Sequence, residues 1–348
     1  MAKTEQRAFD YGAALKKLRA EGPARVYMLR GEEDFLRDSF LSELKKQCVE
    51  EGTEAFNYHR LTGAAIDLSA LTEAVEAMPF MGERTFTEVR GFDINKTSGY
   101  DPALLRALVG DMPEWATVAF VFGAGYAPDK RLAAVKAIRE AGEDIEFTAP
   151  PEAQLIPWVR KRAEACGKTI DSAAASYLLW VCGTRMNTLI PELLKIAGAA
   201  EGDSITRRDI DAVAKRSPET TIFNLTDALG AGEYDKAASL LADLLADRDE
   251  PPQRQIYMVS EQFRRLYAAR TAQDFRLPDS YITDCVPELA GRTYPLQLLK
   301  RACGNFSRAR LARALESCVA CDFGMRDGGP DPSERMKELI LRLAMDRA

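Results

Sequence analysis

The stretch "ATVAFVF" (residues 116–122) decides the fold class, because it is apolar on both faces of the strand that it predicts. A strand of this kind is typical of the centre of a parallel sheet, where helices cover either side. Strand-like and helix-like segments alternate around it from the first residues to about residue 148. This alternation predicts a parallel α/β domain.

Residue type and spacing assign the other elements of this domain. The other predicted strands are "RVYML" (25–29), "FNYHRL" (56–61), "RTFTEV" (84–89) and "DIEFTA" (144–149). The predicted helices are "EDFLRDSFLSELKKQCVEEG" (33–52), "LSALTEAVEAM" (68–78), "DPALLRALVG" (101–110) and "PDKRLAAVKAIREAG" (128–142). Each helix carries apolar residues at a spacing that puts them on one face.

The rest of the chain reads as helical, with no further strands. Pro150 and Pro151 mark a boundary, and Ser217-Pro218 marks a second break. We therefore expect three domains, namely an α/β domain over residues 1–149, a small helical domain over 150–216 and a larger helical domain over 217–348. The predicted fold class is α/β plus all-α. No fixed-period repeat is present, which argues against a solenoid.

Composition narrows the classes of function. The 348 residues are 46% apolar and carry a net charge of -6, so no global basic field favours autonomous tight binding to nucleic acid. The N-terminal sequence has no signal-peptide pattern, and no apolar run approaches the roughly 18 residues that a membrane helix needs. We therefore expect a cytoplasmic protein. The odd number of cysteines, seven, without paired spacing favours free thiols in a reducing compartment.

Two residue sets could carry catalytic or metal chemistry. Cys318 and Cys321 form a CxxC, which could be a redox or zinc half-site together with Cys303 and Cys285. The alternative is that both are small apolar residues on one helix face, and it is favoured because no second CxxC exists and only one histidine does. That histidine, His59, lies in a predicted strand and is interpreted as a sheet-face residue. We predict no catalytic residue and no metal site.

A nucleotide site is the next candidate. "EACGKTID" (164–171) resembles the end of a phosphate loop, but position 162 is Arg162 rather than the required glycine, and the segment follows a predicted helix. A glycine that ends a helix before an Asp171 N-cap explains it better. The turn after "VYMLR" lacks Gly-Lys-Ser/Thr, "VAFVFGAGYAP" (118–128) ends without a carboxylate for magnesium, and its glycines do not form a dinucleotide fingerprint. We predict no cofactor.

The segment "EAMPFMGERTF" (76–86) is the remaining candidate for function. It places Phe80 and Met81 between a predicted helix and a predicted strand, where a loop tip is expected. From the pattern alone two interpretations stay open. The pair packs back on its own domain as a hydrophobic staple, or it is exposed to bind a partner.

Several segments, in this order, resemble the delta-subunit family of bacterial DNA polymerase III over nearly the whole chain. They are "VYMLRGEEDFLRDS" (26–39), "MPFMGERTFTEV" (78–89), the helical stretch 157–198, "TIFNLTDALGAGEYDKAASLLADLL" (221–245) and "QFRRLYAAR" (262–270). The resemblance implies a degenerate AAA+ (P-loop NTPase-like) domain, a helical lid and a helical collar. It also implies that the chain neither binds nor hydrolyses ATP.

The resemblance further implies a role and partners. Members of this family bind the sliding clamp (beta) and hold one of its interfaces open during DNA replication. Their collar joins the ATPase subunits (gamma/tau) and delta-prime, and primed DNA lies within the assembled loader. By motif position the clamp-binding residues are Phe80 and Met81, with Met78 and Pro79 beside them. An active AAA+ ATPase and a helical scaffold without clamp contact are the alternatives.

Two departures from the family pattern bear on these expectations. The family has Leu-Phe where this chain has Phe80-Met81, so the order of large and flexible side chains is reversed. Arg185 stands where an acidic residue is common, and a solvated helix start is the simpler interpretation. Three arginines also form a basic helical face with Arg254 nearby, for which phosphate contact, solvation and a subunit-facing role stay open. They are Arg264, Arg265 and Arg270.

Overall fold

The computed structural model describes residues 11–246, 251–326 and 331–346. The chain divides into two compact units. The first unit comprises the residues up to Pro150 together with Arg185–Asn187, and the second comprises Pro151–Thr184 and Thr188–Ala348. The predicted division of the helical part at residue 216 stays a prediction.

The first unit is built on a parallel sheet. In the part of the chain that the structure describes, the strand order is β2-β3-β4-β1-β5. The strands are Val26–Gly31 (β1), Tyr58–Thr62 (β2), Thr85–Arg90 (β3), Ala116–Val121 (β4) and Glu143–Phe147 (β5). Every residue of β4 is buried, and β4 lies between β3 and β1. The expectation of a central strand at this position is confirmed.

Helices pack around this sheet, and the longer ones bury one apolar face each. They are Tyr11–Glu21 (α1), Asp34–Cys48 (α2), Glu54–Asn57 (α3), Leu68–Glu76 (α4), Pro102–Gly110 (α5) and Ala133–Ala141 (α6), with a 3-10 helix at Thr97–Gly99. Several boundary predictions were wrong. The helix predicted over 128–142 begins only at Ala133, and the helix predicted over 33–52 ends at Cys48. Phe56 and Asn57 belong to α3 rather than to strand β2, because a single helical turn is too short to show a helical period.

Gly31 shows how tightly the sheet is packed at the end of β1. Its φ is +122°, and a Cβ at this position would lie 2.2 Å from the carbonyl oxygen of Phe147. Only glycine fits such a close approach between neighbouring strands. The core beneath contains the large buried side chains of Tyr27, Phe40 and Phe147, with ring centroids 5.8 to 6.0 Å apart.

In its described residues the second unit is helical apart from connecting loops and a short two-stranded parallel ribbon. Its helices are Glu152–Ala165 (α7), Ser172–Cys182 (α8), Met186–Ala199 (α9), Arg207–Val213 (α10), Pro218–Ala231 (α11), Tyr234–Ala246 (α12), Pro252–Asp274 (α13), Asp279–Cys285 (α14), Thr293–Ala302 (α15), Arg308–Arg326 (α16) and Pro332–Met345 (α17), with 3-10 helices at Pro287–Leu289 and Cys303–Asn305. α9 begins within Arg185–Asn187, the residues that group with the first unit. None of the described helices is long and apolar enough to cross a membrane.

The ribbon corrects the expectation that strands end before residue 150. Thr169–Ile170 (β6) pairs in parallel with Ser204–Ile205 (β7). Two residues per strand are too few for an alternating pattern, so the sequence gives no periodic signal there. The predicted helix starts agree with the structure, since α7 follows Pro151 and α11 begins at Pro218 with Ser217 as its N-cap.

Helix α13 runs through the core of the second unit, where Val259, Phe263 and Leu266 are buried. The ring of Phe306 packs against Phe263 edge-on, with the ring centroids 6.2 Å apart. Gly230 in α11 allows this packing, because a Cβ there would lie 2.5 Å from the Phe306 ring. The predicted fold class, a parallel α/β domain followed by a predominantly helical region, is confirmed.

Candidate functional site

The segment between α4 and β3 carries the four residues named from the sequence. Met78 is 77% exposed, Phe80 49% and Met81 77%, whereas Pro79 is half-buried. The structure thus brings these side chains together on a surface loop. We call residues 78–81 the apolar tip.

Both ends of this loop are held by Trp115, the residue before β4. Its indole N–H donates to the carbonyl oxygen of Ala77 at 3.1 Å, where α4 ends. Its own carbonyl oxygen accepts from the backbone N–H of Thr85 at 2.9 Å, where β3 begins. The loop is therefore anchored on both sides to the central part of the sheet.

The middle of the loop is held by Asn57, a fully buried side chain at the end of α3. Its Nδ2 donates to the carbonyl oxygen of Phe80 at 2.9 Å, and its Oδ1 accepts from the N–H of Phe80 at 2.7 Å. A second Nδ2 hydrogen bond goes to Thr53 Oγ1 at 3.0 Å. The residue after this contact, Met81, has φ 51°, which lies in the left-handed region.

Phe56 enlarges the apolar tip and was not foreseen. It is 58% exposed, and its ring lies 4.7 Å from that of Phe80 between centroids, at an interplanar angle of 42°. Phe80 therefore rests on a neighbour that is itself exposed, while Met81 points away from the core. The available sequence signal was an aromatic residue at the start of a predicted strand, which is commonplace.

The segment 164–171, which resembled the end of a phosphate loop, forms hydrogen bonds within its own unit. Gly167 (φ +73°) follows the end of α7, and Asp171 caps α8 by accepting from Ala174 N at 2.6 Å. Lys168 Nζ donates to the carbonyl oxygens of Ala200 at 2.9 Å and Gly202 at 2.7 Å. These contacts confirm the interpretation of this segment as a helix end and N-cap.

Nucleotides bind at the carboxyl-terminal edge of the sheet in P-loop folds. In this chain the protein's own side chains form hydrogen bonds and an ion pair at that edge. Buried Arg37 donates to the carbonyl oxygen of Phe122 at 2.8 Å, directly after β4, and pairs with Asp34 at 2.7 Å. Glu33, in the turn after β1, is also buried. Burial raises the pKa of the Glu33 carboxyl.

Strand β3 carries a buried carboxylate, Glu88, that no sequence pattern singled out. Glu88 is buried and accepts from Tyr58 Oη at 2.6 Å, and it forms a short ion pair with Arg90. Burial, with the hydrogen bond to Glu88, raises the pKa of Tyr58 to about 12. Glu88 is thus engaged in a polar cluster on the sheet.

The cysteines and the histidine show no arrangement for metal binding. Cys318 lies in the helical core, and burial raises the pKa of its thiol to about 12. Within the described ranges no group of three or more His, Cys, Asp or Glu side chains is placed to hold a metal ion. His59 lies in edge strand β2, where burial lowers its pKa. This placement agrees with the interpretation of Cys318 and Cys321 as apolar helix residues and of His59 as a sheet residue.

Acidic side chains interleave with the predicted basic face on α13. Arg264 pairs with Glu261, and Arg270 pairs with Asp274 at 2.9 Å. Arg254 and Arg265 line a cavity of about 240 Å³ whose wall also includes Glu219, Glu261 and Glu288. Arg185 is exposed directly before α9, as expected for a solvated helix start.

Comparison with known proteins agrees with the architecture. The family model described as DNA polymerase III, delta subunit matches residues 27–138, and that of its C-terminal domain matches residues 219–343. DNA polymerase III subunit delta of Bacillus subtilis (strain 168) is 24% identical over 346 residues, which is 96% of this chain and 95% of that protein. The solved Bacillus subtilis DNA clamp loader delta protein has a TM-score of 0.51 at 21% identity, covering 96% of this chain and 99% of that one.

The parallel sheet, its strand order and the helical second unit define a protein of the AAA+ type with no phosphate-loop sequence after β1. The chain belongs to the DNA polymerase III delta subunit family.

Proposed function

We propose that this protein is the clamp-loader subunit that binds the sliding clamp (beta) and holds one clamp interface open, so that the clamp can be loaded on primed DNA. The observation that carries the proposal is the apolar tip, Met78, Pro79, Phe80 and Met81, whose loop is hydrogen-bonded to the sheet domain on both sides. Large apolar side chains on an anchored loop suit binding to an apolar pocket.

The energetics support Phe80 and Met81 as the principal contacts. Burial of one large apolar side chain contributes about 1.5 to 3 kcal/mol, so two of them contribute about 3 to 6 kcal/mol before costs. Phe80 delivers less than a fully exposed ring would, because about half of it is already covered by its own domain. Pro79 and the anchored loop reduce the entropy that is lost on binding.

The remaining partners follow from this role. The helical region from residue 217 onward would act as the collar that joins the ATPase subunits (gamma/tau) and delta-prime. Primed DNA would be held within the assembled loader, in the cytoplasm. ATP would be bound and hydrolysed by the neighbouring subunits, since this chain has no Gly-Lys-Ser/Thr sequence after β1. Its Gly-Lys-Thr sequence elsewhere would not bind phosphate either, because the Lys168 ammonium group is hydrogen-bonded to two backbone carbonyl oxygens.

The decisive experiment compares clamp binding of the wild-type chain with that of Phe80→Ala/Met81→Ala by surface plasmon resonance. We expect the double variant to bind the cognate clamp about 100-fold more weakly, because two contact residues are truncated. Leu104→Ala is the matched control, since Leu104 is an exposed apolar residue on α5 of the same unit. It should bind as the wild type does.

Two outcomes would overturn the proposal. Equal clamp binding by the wild type and the double variant would remove the apolar tip from the interface and favour a scaffold role. Saturable ATP binding by the isolated chain in titration calorimetry would instead favour an active ATPase.

A further inference from the structure

The end of α3 packs against the apolar tip. Phe56 and Asn57 are adjacent in sequence, yet they contact the same loop residue, Phe80, in different ways. Asn57 holds its backbone and Phe56 touches its ring. Phe80 is 23 positions away from Asn57, so the contact is tertiary.

The hydrogen bonds of Asn57 fix the conformation of the tip. One side chain satisfies both the N–H and the C=O of Phe80, as a neighbouring strand would. The third bond, to Thr53 Oγ1, gives the second Nδ2 hydrogen a partner inside the domain. Because Asn57 is fully buried and held on three sides, it fixes the peptide of Phe80 ahead of the left-handed residue Met81.

Phe56 adds apolar surface of its own. More than half of it is exposed, and it is in ring contact with Phe80, so the two aromatic side chains form one continuous patch. A partner pocket that covers Phe80 would also cover the near edge of Phe56. Aromatic pairs at the centre of a protein interface are common contributors to affinity.

We propose that Phe56-Asn57 is part of the site that binds the sliding clamp, with Phe56 as a third contact residue and Asn57 as a positioning residue for Phe80. The proposal rests on the proposed function and deepens it. The occupant is the same apolar clamp pocket. The bound conformation of the tip is thus already present in the free chain, which reduces the cost of ordering the loop.

A double-mutant cycle in the full chain tests this proposal, with clamp affinity as the readout. Phe56→Ala and Asn57→Ala should each weaken binding about five- to tenfold. In a Phe80→Ala background Asn57→Ala should change affinity by less than about twofold, because the ring that it positions is gone, whereas Phe56→Ala should still weaken binding because Phe56 makes a contact of its own. A merely structural role of Asn57 would weaken binding by the same factor in both backgrounds.

The controls separate folding from positioning. Thr53→Ala removes one partner of Asn57 but leaves both bonds to Phe80, so binding should change by less than about twofold. Phe56→Leu keeps an apolar side chain and should recover most of the affinity lost in Phe56→Ala. If Asn57→Ala fails to fold by circular dichroism, the exposed Phe56 variants decide the question.

The outcomes are distinguishable from failure of the proposed function. Wild-type affinity in Phe56→Ala would overturn the contact role, and equal effects of Asn57→Ala in both backgrounds would overturn the positioning role. Either result is meaningful only where Phe80→Ala/Met81→Ala loses binding. If that double variant binds normally, the proposed function and this inference both fail.

Discussion

At the scale of single residues, the backbone of Met81 is the most unusual feature of the apolar tip. Its φ of 51° lies where residues with a Cβ are uncommon, and among the described residues only Arg276 shares this property outside glycine. An unbranched side chain tolerates this conformation better than a β-branched one. Such conformations persist when surrounding contacts impose them, and here the bonds of Asn57 to Phe80 do so.

Substitutions at Met81 should separate backbone strain from side-chain contact. We expect Met81→Gly to be more stable than Met81→Ala by about 1 kcal/mol in urea unfolding, the reverse of the usual order, because glycine adopts positive φ without strain. Both should lose clamp affinity to a similar degree, since both lack the thioether side chain. A Met81→Ala protein as stable as Met81→Gly would show that position 81 carries no such strain.

At the scale of elements, residue patterns predicted the five-stranded sheet but missed the shortest elements of the fold. All of the predicted strands of the first unit form, because each is long enough for a run of apolar or β-branched residues. Helix α3 and the ribbon β6–β7 are only one turn and two residues per strand, so tertiary contacts define them. The same limit applies to the candidate site. Phe80 and Met81 stand out in the sequence, whereas the Asn57 contact exists only after folding.

The ribbon gives a prediction about Lys168. Lys168→Ala should lower the free energy of unfolding by about 1 kcal/mol, because its ammonium group bonds to two carbonyl oxygens beside β7. Calorimetric titration with ATP should give the same absence of binding heat before and after the substitution. Lys161→Ala, at an exposed position on α7, serves as the control and should leave stability unchanged. Detectable ATP binding that Lys168→Ala abolishes would restore the phosphate-loop interpretation.

At the scale of the whole molecule, two compact units each contain a core of their own. The core of the first lies between the sheet and its helices, and that of the second surrounds α13. Each unit contains a glycine whose close approach to a neighbouring residue a Cβ would prevent. Gly31 lies against Phe147, and Gly230 lies against Phe306.

These two glycines form a matched pair for locating stability. Gly31→Ala should cost about 3 kcal/mol and raise amide hydrogen exchange in peptides from β1 and β5. Gly230→Ala should cost about 2 kcal/mol and raise exchange in peptides from α11 and α13. Gly123→Ala, where a Cβ meets nothing within 4 Å, should leave exchange unchanged. Faster exchange in α13 peptides of Gly31→Ala, equal to that in β1, would contradict this assignment.

The double anchor at Trp115 has a mechanical consequence. A force pulling on Phe80 passes along the loop to Ala77 and Thr85, and both of these residues are bonded to Trp115 at the start of β4. From there the load runs into the paired backbones of β3 and β4, which are parallel and would be sheared together rather than peeled apart. Tension on the tip would therefore be carried by the backbone hydrogen bonds between β3 and β4 rather than by the loop alone.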